Sequence, residues 1–320
     1  MLTILAAQRY THTAPDPLRV EGEGIRFFME MVFFIPPQQR RLAMLAAQTD
    51  TASALIYGAS GTGKGAIAKW IHSSGPRAAR PFREASKDMS FAEQLSLAHG
   101  GTLAVHEIGE LSLTEQLAIL DYLKTKSVAL PGPSGMRMLV NARIIATTSQ
   151  ALEGRAQSGF FNAELLEKLN VFRIEMPPLT SRVDEFEDIV LGITGEITRD
   201  FHKEHLRDLS PDAWKLLRDY DWPGNIRELR NVLRLAIVSA AGDQIEASDL
   251  PDFGHDRLDF RSTREQFEKI YIVELLRTFG WKVDRTCQMA RMDKTVLLEK
   301  MKKYGIGPGP ASDQSPAPPV

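Results

Sequence analysis

Residues 54–70 constrain the fold of this chain more than any other stretch. Four residues, Ala-Leu-Ile-Tyr, lead into the run Gly58-Ala-Ser-Gly-Thr-Gly-Lys64, and a helical pattern follows. Glycines allow a tight turn in which successive backbone N–H groups point at phosphate oxygens, and the next helix adds the partial positive charge of its N-terminus. The order of strand, G-x-x-x-x-G-K turn and helix predicts a phosphate-binding loop; an ordinary glycine-rich strand–helix connection is the alternative.

All of the nucleotide contacts predicted from this motif belong to the loop and the start of its helix. They are Gly58, Ser60, Gly61, Thr62, Gly63, Lys64 and Gly65. Lys64 would reach the β- and γ-phosphates, so ATP or ADP is the expected cofactor. Gly65 stands where such loops usually carry the Ser or Thr whose hydroxyl holds Mg²⁺, which leaves Mg²⁺ binding open.

The composition excludes several classes of protein. A chain of 320 residues is long enough for two or three domains, and its net charge of −2 means that any nucleic-acid-binding surface must be local. The single cysteine, Cys287, excludes an internal disulfide and fits a reducing compartment. Residues 1–7 lack the charged start of a secretory signal and no apolar run approaches a membrane span, so we expect a cytoplasmic protein without a membrane segment.

Strand-like and helical patterns alternate on both sides of the loop. The runs 100–107 and 143–149 each contain an apolar stretch, Leu103–Val105 and Ile144–Ala146, and end in polar residues, as buried parallel strands do when they deliver side chains to a site. Helical patterns occupy residues 38–49, 91–98 and 114–125. This alternation predicts an α/β domain with a parallel sheet over residues 35–183, preceded by a leader, 1–34, that has no clear pattern.

The second half of the chain reads as helical. Residues 184–219 are almost wholly helical in pattern, with a helix start at Ser210-Pro211, and a further helix runs to about residue 241. His202 and His205 are three apart on a predicted helix, but no third ligand converges on them, so no metal site is predicted. We assign 184–251 to a helical subdomain, 252–261 to a linker, 262–306 to a second helical domain and 307–320 to a disordered tail.

Four motifs in this order resemble the AAA+ domain of sigma-54-dependent transcriptional activators. They are the phosphate loop, the 100–111 strand, Leu169-Asn-Val-Phe with Pro177-Pro-Leu, and Trp222-Pro-Gly-Asn-Ile-Arg-Glu-Leu229. Residues 286–306 are similar to the Fis-like helix-turn-helix of that family. The resemblance implies an AAA+ P-loop NTPase-type parallel sheet with a helical lid, followed by an all-α helix-turn-helix domain. It also implies a hexameric ring ATPase that remodels RNA polymerase holoenzyme from a DNA site.

Two departures from the family pattern concern the motor and its metal. Only 17 residues separate Phe82 from Gly100, where the family carries several tens more, including the GAFTGA loop that contacts the sigma factor. His106 stands where the family has the Asp that organises the Mg²⁺ shell, and neutral imidazole is a poor ligand for Mg²⁺. We expect His106 to be a buried strand-end histidine bonded to backbone, in preference to a metal ligand.

Other departures concern hydrolysis. Asn162 and Lys168 stand where the family has arginine fingers, whose loss costs about 10³–10⁵-fold in rate in related systems. Ser149 replaces the sensor Asn. Glu107, the catalytic carboxylate that would polarise the attacking water, is retained, as is Arg227, which would contact the γ-phosphate from the lid or otherwise form an ion pair on its helix. These positions predict a protein that binds ATP or ADP but hydrolyses it slowly or not at all.

The C-terminal helical domain is basic. Residues 261–306 contain eleven Lys and Arg against six Asp and Glu, as a duplex-binding module requires. Asp293 is the expected N-cap of a helix that starts at about Lys294. The predicted base contacts are Lys294, Thr295 and Leu298 or Glu299, and the predicted DNA-backbone contacts are Arg285, Lys302 and Lys303. Arg291 replaces the turn Gly of the family, and a protein-docking module with a solvated basic face is the alternative.

The leading functional prediction is a DNA-binding transcriptional regulator whose nucleotide domain serves assembly or ligand sensing. Its expected partners are double-stranded DNA, further copies of itself, and either the sigma-54 holoenzyme or a related activator. Three alternatives stay open: a working ATPase in which other parts replace the missing loop, an interaction protein that inserts into the rings of a complete family member, and a relic with little function.

Overall fold

The structure is a computed structural model with two compact units, Met1–Glu185 and Phe186–Val320. It describes residues 34–129, 136–206, 208–251, 268–269, 272–273, 276, 281–290 and 293–307, with the side chains of 288–290 left out. Within these residues no helix is both long and apolar enough to cross a membrane.

The first unit is built on a five-stranded parallel sheet. Its strands are β1 Ala54–Tyr57, β2 Phe82–Glu84, β3 Thr102–Val105, β6 Arg143–Thr148 and β7 Phe172–Glu175. Their order in the sheet is β2-β3-β6-β1-β7. A separate antiparallel pair consists of β4 Ser127–Ala129 and β5 Arg137–Leu139. The helices of this unit are α1 Pro37–Gln48, α2 Lys64–Ser73, α3 Phe91–Leu97, α4 Leu113–Thr125, α5 Leu152–Gln157 and α6 Ala163–Leu169. The predicted parallel α/β domain is confirmed.

Burial explains which strands the sequence revealed. Every residue of β3 and β6 is buried, as are the first three of β1, so these three central strands read as apolar runs. The sequence analysis missed β2 and β7, which lie at the two edges of the sheet and have mostly exposed residues. It also missed β4 and β5, which are three residues long and partly exposed.

Two buried arginines join loops to the sheet in the first unit. Arg77, 4% exposed, donates to the backbone oxygens of Gly101 and Asn141 and to the Asp50 carboxylate at 2.7 Å. Arg143 donates to two backbone oxygens before β1, and burial together with the charge of Arg77 lowers its pKa to about 10. Both guanidinium groups are hydrogen-bonded, as buried cations must be.

The second unit is mainly helical in its described residues. Its helices are α7 Phe186–Asp200, α8 Pro211–Asp219, α9 Asn225–Ser239, α10 Val283–Ala290 and α11 Lys294–Lys303. The predicted start of α8 is confirmed, because the Ser210 hydroxyl accepts a hydrogen bond from the backbone N–H of Ala213, with Pro211 in the first turn.

The prediction of nearly continuous helix over 184–219 is wrong between residues 201 and 210. Helix α7 ends at Asp200, and His202 has a φ of 53°, so His202 and His205 do not share a helix face. The Lys203 ammonium donates instead to the backbone oxygens of Ile237, Val238 and Ala240. A cation at the C-terminus of α9 is favourable because that end carries unsatisfied carbonyls, and this contact replaces the expected helical turn.

A small core holds the C-terminal helices together. It consists of the buried residues Ile272, Leu276, Cys287, Leu297 and Met301. Cys287, the single cysteine of the chain, is buried in this core. Arg291, which stands where the family has the turn Gly, lies outside the described residues.

The Tyr122 hydroxyl provides a test of how the first unit is held together. It is buried, donates to the backbone oxygen of Ala142 at 2.6 Å and accepts from the backbone N–H of Ala142 at 2.8 Å. Tyr122→Phe would leave both backbone groups buried without this partner, so we expect a loss of about 1–3 kcal/mol in the free energy of unfolding measured with urea. Tyr57→Phe is the matched control, because its hydroxyl bonds Glu175 in an exposed position and should cost less. Equal losses would contradict this account.

Candidate nucleotide-binding site

The loop after β1 has the backbone shape that its glycines predict. Gly61 and Gly63 have φ values of 79° and 94°, which side chains rarely permit. At Gly58 a Cβ would lie 2.0 Å from the backbone oxygen of Met176, because the loop leaves the sheet close against the chain that follows β7. Gly63 then forms the N-cap of α2. Loop and helix N-terminus together present the arrangement that binds phosphate in proteins.

Lys64 is almost buried, at 6% exposure, and its ammonium lies against the loop. It donates to the backbone oxygens of Gly58 at 2.8 Å and Ala59 at 3.0 Å, and it lies 3.3 Å from Oε1 of Glu107. Thr62 supports the same turn by donating to the Ala59 oxygen at 2.9 Å. Ser60 is exposed on the outside of the loop. The positive charge of Lys64 therefore lies at the end of the sheet where the parallel strands stop, which we call its carboxyl edge.

Glu107 is fixed from two sides. Its Oε2 accepts hydrogen bonds from the backbone N–H of Ser149 at 2.7 Å and from the Ser149 hydroxyl at 2.8 Å, while Oε1 lies near Lys64. Burial alone would raise the pKa of the Glu107 carboxyl, but the hydrogen bonds from Ser149 and the charge of Lys64 outweigh it and lower the pKa below its ordinary value. Glu107 is thus a carboxylate at neutral pH. Its backbone is in the left-handed region, with φ at 47°.

His106 contradicts the expectation of a buried histidine bonded to backbone. Its side chain is 33% exposed and its neighbours are side chains: Nδ1 lies 3.3 Å from Oγ1 of Thr147, and Nε2 lies 3.5 Å from Oε1 of Glu84. Sequence reasoning did not find Glu84, because Glu84 belongs to the short edge strand β2, which has no apolar pattern. The expectation failed because His106 directly follows β3, at the end of the sheet where the parallel strands stop. A side chain at that place extends away from the backbone of the neighbouring strands.

The residues at this edge do not fit the Mg²⁺ site of a P-loop enzyme. Gly65 offers no hydroxyl, and a Cβ placed on it would lie 3.3 Å from Cε1 of His106. The imidazole therefore occupies the space beside the position from which the usual hydroxyl would reach the metal. Mg²⁺ requires oxygen ligands in near-octahedral geometry, which an imidazole does not supply. Among the residues that the structure describes, no group of three or more His, Cys, Asp or Glu could hold a metal ion.

The positions of the two family arginine fingers have other uses here. Asn162 caps α6, because its Oδ1 accepts from the backbone N–H of Leu165 at 2.9 Å, and its own backbone N–H donates to Gln116. Lys168 is exposed in the last turn of the same helix. Arg227 belongs to the other unit, where it is exposed in the first turn of α9. Lys64, His106, Glu107 and Ser149 are therefore the predicted residues that the structure brings together.

The turn that leads into α9 is held by its backbone conformation and by local hydrogen bonds. Trp222 and Asn225 have φ values of 48° and 53°, and the Trp222 indole N–H donates to the backbone oxygen of Leu217. The Glu228 carboxylate accepts from the backbone N–H of Gly224 at 2.7 Å and from the Tyr220 hydroxyl at 3.0 Å. This local network fixes the turn between α8 and α9 and thereby places Arg227 on the outer face of α9.

The predicted DNA contacts share an exposed position on the C-terminal helices. They are Arg285 on α10 and Lys294, Thr295, Leu298, Glu299, Lys302 and Lys303 on α11. The Asp293 carboxylate accepts from the backbone N–H of Thr295 at 2.8 Å, so the predicted N-cap is confirmed. That hydrogen bond lowers the pKa of Asp293. The inner face of α11 carries Leu297 and Met301, and its exposed face carries three lysines together with Thr295, Val296, Leu298 and Glu299.

Comparison with known proteins shows what these two units resemble. A family model described as the sigma-54 interaction domain matches residues 38–179, and one described as the AAA+ ATPase lid domain matches residues 182–266. The nitrogen assimilation regulatory protein NtrX of Azorhizobium caulinodans is 30% identical over 308 residues, covering 84% of this chain and 67% of that protein. The regulatory protein AtoC of Escherichia coli is 32% identical over 297 residues, covering 80% and 63%.

The chain spans about two thirds of the length of these relatives. The NtrX match extends over 308 residues yet takes up only 84% of this 320-residue chain, so several tens of aligned positions have no residue here. This agrees with the short segment between Phe82 and Gly100. Crystal structures of NtrX from Brucella abortus in complex with ADP and with ATP have TM-scores of 0.58 and 0.59, at 25% and 26% identity. Each covers 95% of this chain, which covers 73% and 72% of those chains.

The effect of the Ser149 hydrogen bond on Glu107 can be tested by removing the Ser149 hydroxyl. Ser149→Ala should raise the pKa of Glu107 in the folded protein, because one of the hydrogen bonds that stabilise the carboxylate is lost. A depressed carboxyl pKa contributes stability that is present at neutral pH and is lost as the pH falls through the folded pKa. The variant should therefore begin to lose that stability at a higher pH.

The measurement is an NMR titration of the labelled Glu107 carboxyl together with unfolding at several acidic pH values. Ser149→Thr is the control, because it keeps a hydroxyl at the same position. A Glu107 titration that is the same in Ser149→Ala and wild type would show that the side-chain hydrogen bond has no effect on the carboxylate.

Proposed function

This chain belongs to the family of sigma-54-dependent transcriptional activators, and on that basis we propose that it is a transcriptional regulator that binds ATP or ADP and DNA but hydrolyses ATP slowly or not at all. The observation that carries the proposal is the contrast within one site. The loop, the N-terminus of α2 and Lys64 have the arrangement that holds phosphate, whereas positions 65 and 106 lack the oxygen ligands that Mg²⁺-assisted hydrolysis requires.

Nucleotide binding is supported by the geometry of the loop and by its relatives. The N-terminal end of α2 and the Lys64 ammonium lie at the same edge of the sheet, so a diphosphate would meet backbone N–H groups, a helix dipole and one full positive charge. NtrX from Brucella abortus has been crystallised with ADP and with ATP. In our proposal the chain contributes nucleotide binding through residues 58–65.

Slow hydrolysis follows from what each remaining residue can do. Glu107 could orient a water molecule, but its two oxygens are engaged by Ser149 and Lys64. No guanidinium stands at 162 or 168, and the lysine at 168 lacks the bidentate fork that stabilises a transferring phosphoryl group. The nucleotide would then act as a bound ligand that favours one assembly or conformation of the protein.

DNA binding is supported by the charge and exposure of the C-terminal helices. Residues 261–306 carry a local excess of positive charge, and the outer face of α11 exposes the cationic residues Lys294, Lys302 and Lys303. Such a face can neutralise phosphates, while the start of the helix, from Lys294 to Thr295, reaches base edges. We propose double-stranded DNA and further copies of this chain as partners in the cytoplasm, together with the sigma-54 holoenzyme or a related activator.

A working ATPase is the second candidate, and one observation favours it. Glu107, the carboxylate that would polarise the attacking water, is ionised and lies at the same end of the sheet as Lys64. The interaction protein that inserts into rings of a complete family member is the third alternative, and it would require no DNA binding by the chain alone.

Binding and hydrolysis measured side by side decide between the first two. We expect the purified protein to bind ATP or ADP, and Lys64→Ala to lose that binding because the buried charge beside the phosphates is gone. We expect no hydrolysis above that of Lys64→Ala, and Glu107→Gln should leave both nucleotide affinity and the low rate unchanged within a few-fold. Turnover at a rate ordinary for ring ATPases, abolished in both variants, would falsify the proposal and establish the second candidate.

DNA binding can be measured through its dependence on salt. Replacing Lys302 and Lys303 together by Ala should weaken binding to a random-sequence duplex and reduce the slope of log K against log salt by about 2, since each phosphate contact contributes about 0.9. Lys215→Ala, an exposed lysine on α8, is the matched control and should leave the slope unchanged. Absence of any salt-sensitive binding by the wild-type chain would exclude the DNA-binding part of the proposal.

A further inference from the structure

We propose that this site takes its nucleotide, a nucleoside di- or triphosphate, without a divalent cation, and that His106 fills the space in which the metal ion and its protein ligand would lie. The inference rests on the proposed nucleotide binding and deepens it, because it specifies the chemical form of the ligand. It is carried by the contacts of one side chain, the His106 imidazole, with three surrounding elements.

The first contact is with α2. A Cβ at Gly65 would lie 3.3 Å from Cε1 and 3.9 Å from Nδ1 of His106, so the ring takes up the volume beside the first turn of the helix. A side chain at 65 would require the imidazole to shift by a few tenths of an ångström. The present position of the ring therefore makes use of the missing Cβ at Gly65.

The second and third contacts hold the ring in that place. Thr147 on β6 faces Nδ1 at 3.3 Å, and Glu84 on β2 faces Nε2 at 3.5 Å. Since the two ring nitrogens have partners on different strands, rotating the imidazole away from α2 would break both contacts. Thr147 is buried, so its hydroxyl is a fixed partner. The ring is thus a built part of the site.

The charges at the site are compatible with a metal-free polyphosphate. Lys64 on α2 supplies a positive charge beside the loop, while Glu107 after β3 and Glu84 on β2 are carboxylates next to Lys64 and His106. Glu107 already pairs with Lys64, and Glu84 lies against His106. The phosphate oxygens would be met by loop N–H groups, the N-terminus of α2 and the cation of Lys64. The imidazole separates Glu84 from that phosphate position.

This arrangement predicts that positions 65 and 106 act together. Gly65→Thr alone would crowd the imidazole, and His106→Asp alone would put a third carboxylate beside Glu84 and Glu107. Only the double variant would supply both a hydroxyl and a carboxylate oxygen to Mg²⁺ with room for the ion. The double variant should therefore gain a property that neither single variant has.

The experiment measures the affinity of the full chain for fluorescent ADP and ATP analogues in excess EDTA and in millimolar Mg²⁺. The wild-type affinity should differ by less than about twofold between the two buffers. Gly65→Thr/His106→Asp should bind at least about tenfold more tightly in Mg²⁺ than in EDTA. Lys64→Ala should bind in neither buffer. Circular dichroism of each variant confirms that it is folded, and the wild-type comparison holds even if a variant does not fold.

The outcomes separate the two proposals. Wild-type binding that requires Mg²⁺ by tenfold or more would overturn the metal-free site and leave nucleotide binding intact. Folded wild-type protein that binds neither analogue in either buffer would overturn the proposed nucleotide function itself. A double variant with wild-type indifference to Mg²⁺ would show that residues 65 and 106 do not exclude the ion, and would also count against the inference.

Discussion

The shape of the loop and the position of Glu107 both depend on the contacts of the Lys64 ammonium. A charge that is almost completely removed from solvent must be surrounded by oxygen atoms, and here these come from Gly58, Ala59 and Glu107. Two of them are loop carbonyls, so the same contacts that stabilise the cation also close the turn. The third comes from the end of β3, so the position of Glu107 depends on the sheet as well. A change in any one of the loop, Lys64 or Glu107 would consequently alter the other two.

The parts of the fold that the sequence predicted are those in which burial leaves a pattern. Strands β1, β3 and β6 lie in the middle of the sheet and are apolar on both faces, and Ser210 and Asp293 have the side chains that cap helices. The edge strands have no such pattern. With β2 unrecognised, Glu84 could not be placed beside His106, and the environment of that histidine was predicted wrongly.

Contacts between distant segments explain the other errors. The sequence around Lys203 fits an amphipathic helix. In the structure, however, the Lys203 ammonium donates to the carbonyls of residues 237, 238 and 240. Similarly, nothing in the local sequence shows that Gly65 faces an imidazole 41 positions away. Local sequence patterns predict individual helices and strands. Which of their ends lie side by side depends on the order of the strands in the sheet, and that order cannot be read from a local pattern.

The cap formed by Asn162 has a consequence for how this chain can change. Its amide oxygen satisfies a backbone N–H of α6, and an arginine at the same position has no acceptor with which to do so. Placing an arginine there would weaken the start of α6 by about 1 kcal/mol. One position thus has to serve either as the cap of α6 or as a source of a guanidinium group, and in this chain it serves as the cap.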